Sequence, residues 1–416
     1  MRSPTEEQVR AEVADWLDRH WDTDLTVREW WRALAAAGYA APTLPVERGG
    51  RAWTPDLAAA AMATIAERGA LGPPAGLGLM LAAPTLVAHG DTQQVQELLP
   101  RILDGQHGWC QLFSEPGAGS DLAGLQTRAV RDGDEWVVTG QKVWTSTAQH
   151  ADYGMLLART DPDQPKHRGI TYFAFPMRQP GVEVRPLREM TGRAIFNEVF
   201  LDGARVPHAN IVGAVNEGWL VANTTLMVER SGIGGGGGEA FSAAVPGTIA
   251  GHLDRRVGEF VGQRSAMGAT RMGVAAVRTL VQLAQERGQN ADPAVRQALA
   301  RLYSRAEIGR LSILRAKSGG ARTGGEGNLA KLLMADQVRL GREVGCLILG
   351  AHAMLAGDAA PAGGLVHEMI VSSPGPSIYG GTDQVQRNIV GERVLGLPKE
   401  PGPSRDTPFC QLLAND

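Results

Sequence analysis

Over the first hundred positions apolar residues recur three and four apart, the period of helices with one buried face. Val9, Val13 and Trp16 share one such face, and Trp30, Leu34 and Ala37 share another before Gly38 ends the run. Thr54-Pro55-Asp56 reads as a cap with proline in the first helical turn. His89-Gly90-Asp91 reads as a stop and a new cap, leading to Val95, Leu98 and Leu99. Trp30 and Trp31 could line a ligand cavity, but their spacing favours core packing. The period changes near Trp109. Val130, Val137 and Val143 lie in β-prone runs with Asp132-Gly133 as a hairpin turn between two of them. Ile170 to Phe175 and Glu198 to Leu201 are strand-like, and Asn216-Glu217-Gly218 marks the exit. Helical spacing then returns at Trp219, Ala222, Leu226 and Glu229, and again over Val274 to Leu283, Val295 to Leu314 and Leu329 to Leu349. The last two stretches read as amphipathic, as a bundle requires. The pattern predicts a mainly α chain with a β middle domain: residues 1–108 helical, 109–215 β, 216–416 a helical bundle.

One segment resists this reading. From Gly232 through Gly238 every residue but Ile233 is glycine. Each glycine in a helix costs about 1 kcal/mol relative to alanine, so the run should break or fray the helix. It is either a surface loop or a hinge beside whatever Glu229 does.

Composition narrows the function. A chain of 416 residues can bury a sizeable core in two or three domains. Its 41 basic and 44 acidic residues nearly cancel without a basic run, which argues against nucleic acid as a partner. Cys110, Cys346 and Cys410 are far apart and the nine histidines lack paired-ligand spacing, so no metal is expected and a reducing, cytoplasmic setting is. His367-Glu368 reads as ordinary helix surface. The N-terminus has no signal-peptide pattern, and the most apolar run, Ala75 to Val87, is too short to span a bilayer.

Candidate chemistry concentrates between Phe113 and Ser146. Pro116, Gly117 and Gly119 make a turn whose N–H groups can approach a ligand closely. It is not a dinucleotide fingerprint: Leu122 stands where a third glycine belongs, and the turn leads into strands rather than a helix. Trp144-Thr145-Ser146 offers an indole beside small hydroxyls, suited to the face and edge of a flat heteroaromatic ring.

Three blocks, Ser114 to Asp121, Gly140 to Ser146 and Tyr379-Gly380-Gly381-Thr382-Asp383-Gln384-Val385-Gln386-Arg387, resemble the flavoprotein acyl-CoA dehydrogenase family in order and spacing. The likeness covers nearly the whole chain. It implies a three-domain fold of an α-helical domain, a β-barrel-like domain and a four-helix bundle. It also implies FAD-dependent α,β-desaturation of an acyl-CoA thioester, with electrons passed to an electron-transferring flavoprotein. By resemblance, Gln111, Leu112, Phe113, Ser114, Gly119 and Ser120 wrap the flavin's pyrimidine side, and Trp144, Thr145 and Ser146 cover its ring. Thr382 and Gln384 also hold FAD, while Ser120, Arg230, Tyr379 and Gly380 face the CoA ester.

The base departs from the commoner pattern. Many family members carry a glutamate where this chain has Gly380, whose backbone N–H can bind the thioester carbonyl but cannot take a proton. Some relatives place the glutamate on the first helix of the C-terminal domain, just before an arginine, and Glu229-Arg230 matches that position. Its bland alternative is a surface pair, against which the apolar Leu226, Met227 and Val228 speak for burial. The family's Arg-Lys-x-Phe-Gly has no counterpart near Arg255 to Gly268, and Leu347-Ile348-Leu349-Gly350-Ala351 replaces Gln-x-x-Gly-Gly, so the half of the site lent to a neighbour is eroded. The chain is therefore expected in a homo-oligomer, or in a hetero-oligomer with a paralogous subunit for which it is a non-catalytic or half-site partner.

Overall fold

The protein is described from a computed structural model covering residues 4–234, 243–263, 273–317, 323–357, 360–399, 401–404 and 406–412. Five helices come first: α1 (Glu6–His20), α2 (Val27–Ala36), α3 (Pro55–Glu67), α4 (Ala83–His89) and α5 (Thr92–Leu103). Thr5, Thr26 and Asp91 start α1, α2 and α5 with reciprocal capping boxes, satisfying N–H groups that a first turn leaves open. Thr54 caps α3 ahead of Pro55, as its sequence predicts. Val9, Val13, Trp30, Trp31 and Leu34 form a buried cluster, so the tryptophans pack as core. Their indole nitrogens donate to the Leu71 and Gly72 carbonyls at 2.6 and 2.9 Å. A π-helical turn, Gly78–Ala82, runs into α4.

Seven strands follow: β1 (Trp109–Leu112), β2 (Arg128–Asp132), β3 (Glu135–Lys142), β4 (Tyr153–Arg159), β5 (Ile170–Pro176), β6 (Val182–Leu187) and β7 (Phe196–Pro207). They form one curled sheet in the order β1-β4-β2-β3-β7-β6, with β5 on β4. Pairing is antiparallel except where β4 meets β1 and β2. The expected hairpin joins β2 and β3 with Gly133 at φ +62. Alternate residues of β4 and β5 serve two cores. Leu156, Ala158, Phe173 and Phe175 fill the concave side with Val138, Val199 and Leu201. Met155, Leu157, Ile170, Tyr172 and Ala174 join Leu81, Leu86, Val95 and Leu99 of the helical layer. Both strands are thus buried on both faces, which explains why Ile170 to Phe175 reads as a continuous apolar run.

The C-terminal part holds α6 (Gly218–Gly234), α7 (Gly273–Glu286), α8 (Pro293–Lys317), α9 (Glu326–Leu349), α10 (Leu365–Ser372) and α11 (Asp383–Ile389). Helices α7, α8 and α9 pack through Leu280, Leu283, Val295, Leu302, Val344 and Ile348. Helix α6 bridges α9 to β5 and the π-helical turn, which places Glu229 where the three parts meet. Helix α6 is described to Gly234, inside the glycine run expected to break or fray it, and residues 235–238 lie outside the described residues. One expectation needs correction. Helix α8 is less cleanly amphipathic than its spacing suggests, because Tyr303, Ile308, Leu311 and Leu314 are exposed.

Candidate active site

Strand β1 sets the geometry. Cys110 and Leu112 point into the concave core, so Trp109, Gln111 and Phe113 face the helical layer. Among these three Gln111 is the polar one, and its Nε2 donates to Glu229 Oε2 at 3.3 Å. Glu229 keeps some solvent-accessible surface while protein atoms surround its carboxylate on most sides, the signature of a recess. Burial there raises its pKa above the ordinary carboxylate value, and the Gln111 hydrogen bond and the Arg230 charge draw it partly back. Met227 does not help bury it: this side chain is exposed, while Leu226 and Val228 pack on the core. Arg230 bonds its own helix, Nε to the Leu226 carbonyl at 3.0 Å. Burial lowers its pKa, and the nearby Arg393 adds to that.

The turn after β1 and the end of β3 form one unit. Val143 N donates to the Ser114 carbonyl at 2.9 Å. Beneath them lies a buried ion pair, Lys142 Nζ to Glu115 Oε1 at 2.8 Å, with the lysine side chain 0% exposed and the glutamate 6%. Lys142 also donates to the Phe113 carbonyl, and Glu115 accepts the N–H groups of Gln126 and Thr127 at 2.6 and 2.9 Å. Burial alone would raise the Glu115 pKa, but Lys142 and these donors hold it below the usual range. Arg159 secures the far end of the loop by donating to the Ala123 carbonyl at 2.6 Å. Sequence reasoning passed over Glu115, Lys142 and Arg159. The available signal was parity: Lys142 shares the inward side of β3 with Trp136 and Val138, where a lysine needs a partner.

Trp144 has φ +59 and Thr147 φ +58, a left-handed backbone that is an outlier for a bulky residue. The conformation is held by Asn197, whose backbone exchanges two 3.0 Å hydrogen bonds with Thr145. The Trp144 indole, 57% exposed, stands edge-on to Phe196. The Thr145 hydroxyl is buried with no hydrogen-bond partner. An open aromatic face, an unused hydroxyl and an unobstructed Gly119 fit a flat heteroaromatic group such as a flavin ring. The side chains of Leu112 and Phe113 are core, so their part in such a site falls to the backbone, whereas Ser114 is half-buried and Ser120 exposed.

The third block is built on α9. Gln386 Nε2 donates to the Gly380 carbonyl at 2.7 Å, and Asn328 donates to Gln386 Oε1 at 2.6 Å. Arg339 bonds Asp383 at 2.8 Å, and the buried Lys331 ammonium lies 3.6 Å from the same carboxylate. Gly380 and Gly381 have φ +63 and +86, and a Cβ on Gly381 would come within 2.5 Å of Gln386 Nε2. Tyr379 is half-exposed, Thr382 caps α11, and Gln384 faces outward from it. Among the described residues no group of three or more His, Cys, Asp or Glu is placed to hold a metal, and no helix is long and apolar enough to cross a membrane.

The chain thus has three parts, a recessed carboxylate on α6 hydrogen-bonded to the curled sheet, and an open aromatic turn after β3. Comparisons with known proteins identify the family. Its N-terminal, middle and C-terminal domain descriptions, each titled acyl-CoA dehydrogenase, match residues 1–106, 110–204 and 257–395. Acyl-CoA dehydrogenase IpdE1 of Mycobacterium tuberculosis is 37% identical over 377 residues, covering 90% of this chain and 88% of the relative. Acyl-CoA dehydrogenase FadE34 of the same organism is 39% identical over 325 residues, 76% of this chain, which spans only 39% of that longer protein. A solved structure, the Tcur3481-Tcur3483 steroid ACAD, superposes with TM-score 0.72 at 26% identity, covering 96% of this chain and 99% of that one. The chain belongs to the acyl-CoA dehydrogenase family, oxidoreductases acting on CH–CH bonds of acyl-CoA thioesters, whose members are flavoproteins.

Proposed function

We propose that this chain binds FAD non-covalently and desaturates an acyl-CoA between its α- and β-carbons, with Glu229 as the proton-abstracting base. The observation that carries the reading is the Glu229 carboxylate, recessed and hydrogen-bonded to Gln111 in the layer that also holds the Phe113 to Ser114 turn. When bound, FAD supplies the acceptor for the hydride that leaves the β-carbon, and an electron-transferring flavoprotein takes the electrons onward. Ser114, Gly119 and Ser120, Trp144 to Ser146, Thr382 and Gln384 would hold it, with the backbone of residues 111 to 113. The protein's own part is position and one base. Glu229 takes the α-proton, and a raised pKa suits a carboxylate that must become a stable acid after the transfer. The Gly380 N–H would polarise the thioester carbonyl, and the Gln386 and Asn328 amides hold that turn in place. Ser120, Arg230 and Tyr379 would line the way for the CoA ester. Likeness to the steroid ACAD supports a bulky, ring-bearing acyl group.

Glu229→Gln keeps size and hydrogen bonding but removes the acceptor. A placed general base contributes about 100- to 10,000-fold. With linear, branched and ring-bearing acyl-CoAs as probes, flavin reduction should fall by at least the lower figure while FAD stays bound. Near-normal reduction would remove Glu229 from the mechanism. The second reading, a supporting subunit for a paralogous catalytic chain, is favoured by Gly380, which carries no carboxylate, and by the steroid ACAD, which is named for two proteins. Reduction that appears only after a paralogue is added would establish it.

A further inference from the structure

We infer that Gln111 is a positioning residue for Glu229: its amide, mounted on β1, holds Oε2 and fixes the direction from which the carboxylate meets an acyl α-carbon. This rests on the reading of Glu229 as base and assigns Gln111 a task beyond flavin contact. The argument is geometric. Glu229 lies five residues before the end of α6, whose last turn contains Gly232 and Gly234. Each costs that turn about as much helix stability as a strong side-chain contact restores, so the helix alone defines the carboxylate's place weakly. Strand β1 is the opposite case. Gln111 pairs with Met155 of β4, a strand buried on both faces, and its neighbours Cys110 and Leu112 are locked in the concave core. An amide on that strand stands at a fixed point in an apolar wall between Trp109 and Phe113, and the side-chain partner it reaches is Glu229. A rigid donor thereby anchors a carboxylate carried on a glycine-weakened helix end.

The charged and titratable surroundings leave this contact prominent. Arg230 on the same helix acts on Glu229 and is itself opposed by Arg393. From α4, His89 bonds Thr224; from β5, Tyr172 contributes a buried phenol; from α9, Lys331 and Arg339 turn to Asp383. A hydrogen bond to the charged form lowers a carboxyl pKa, so losing the Gln111 donor must raise that of Glu229.

The test is an infrared difference titration of the purified, FAD-loaded protein without substrate. The protonated-carboxyl band missing from Glu229→Gln reports Glu229. Gln111→Met, similar in size but without a donor, should move that midpoint upward by about one pH unit. Single-turnover flavin reduction, with the best acyl-CoA of the panel as probe, should then show its acid limb shifted the same way and be about fivefold slower than wild type one unit below the new midpoint. Gln111→Asn, polar but one methylene shorter, should behave likewise and serves if the methionine variant does not fold. An unmoved midpoint with weakened FAD retention would make Gln111 a flavin contact only and overturn the inference. Active Glu229→Gln would overturn the base reading instead, whatever the midpoint does. Absence of any Glu229 band difference would overturn both.

Discussion

Replacing Lys142 by methionine isolates the most consequential buried contact near the proposed flavin turn. The substitution keeps the aliphatic stem but removes the ammonium that Glu115 Oε1 meets at 2.8 Å. Breaking a buried pair from one side costs about 3–5 kcal/mol, since a charge is left without its partner in a poor dielectric. The low end applies here. Glu115 retains the Gln126 and Thr127 N–H groups, while the Phe113 carbonyl loses one donor. A loss near 3 kcal/mol is expected for Lys142→Met, and a larger one for Glu115→Leu, which strands a fully buried ammonium. The double variant should be less damaged than the sum of the singles, with a coupling of about 1–3 kcal/mol. Denaturant unfolding followed by tryptophan fluorescence measures all three. The pair is also acid-sensitive: Glu115's folded pKa lies below its unfolded value, so its stabilisation is full above the unfolded value and disappears as pH falls through the folded one. Single variants within about 0.5 kcal/mol of wild type would refute the reasoning and leave the turn held by backbone alone.

Trp144→Ala should leave unfolding within about 0.5 kcal/mol of wild type, because the indole is mostly exposed, while weakening FAD retention roughly threefold to tenfold. Equal flavin retention by both proteins on desalting would detach Trp144 from the cofactor. The exposed Ile308 and Leu311 on α8 point to an interface, so light scattering should give a multiple of 44.2 kDa. Ile308→Arg with Leu311→Arg should reduce it toward one chain; an active wild-type monomer would end that proposal.

Much of the architecture was legible because local rules and tertiary packing agree. Thr54 and Asp91 cap where their sequence contexts say they should, and Asp132-Gly133 turns β2 into β3. Glu229 could be singled out through a block resemblance, but not its partner. The contact between Gln111 and Glu229 joins residues 118 apart, and no local pattern encodes a meeting at that separation. Lys142 was missed because a lysine in a strand normally reads as surface, and its true setting depends on Glu115 folding back beneath it. Helix α8 misled for a related reason: periodicity shows that a face is apolar, not whether this chain or another covers it.

The two-faced burial of β4 and β5 bears on modularity. Three separate domain descriptions match this chain in succession, as if it were three beads on a string. Yet Met155, Leu157, Ile170, Tyr172 and Ala174 belong to the same apolar cluster as Leu81, Leu86 and Leu99, while their strand neighbours complete the barrel-like core. Cutting between the first two parts would bare a contiguous oily sheet surface, which in water invites aggregation rather than independent folding. The boundaries that are natural for comparing sequences are therefore not boundaries at which the molecule can be taken apart. Engineering by domain exchange would have to carry the helical layer and the sheet together, as one inherited unit.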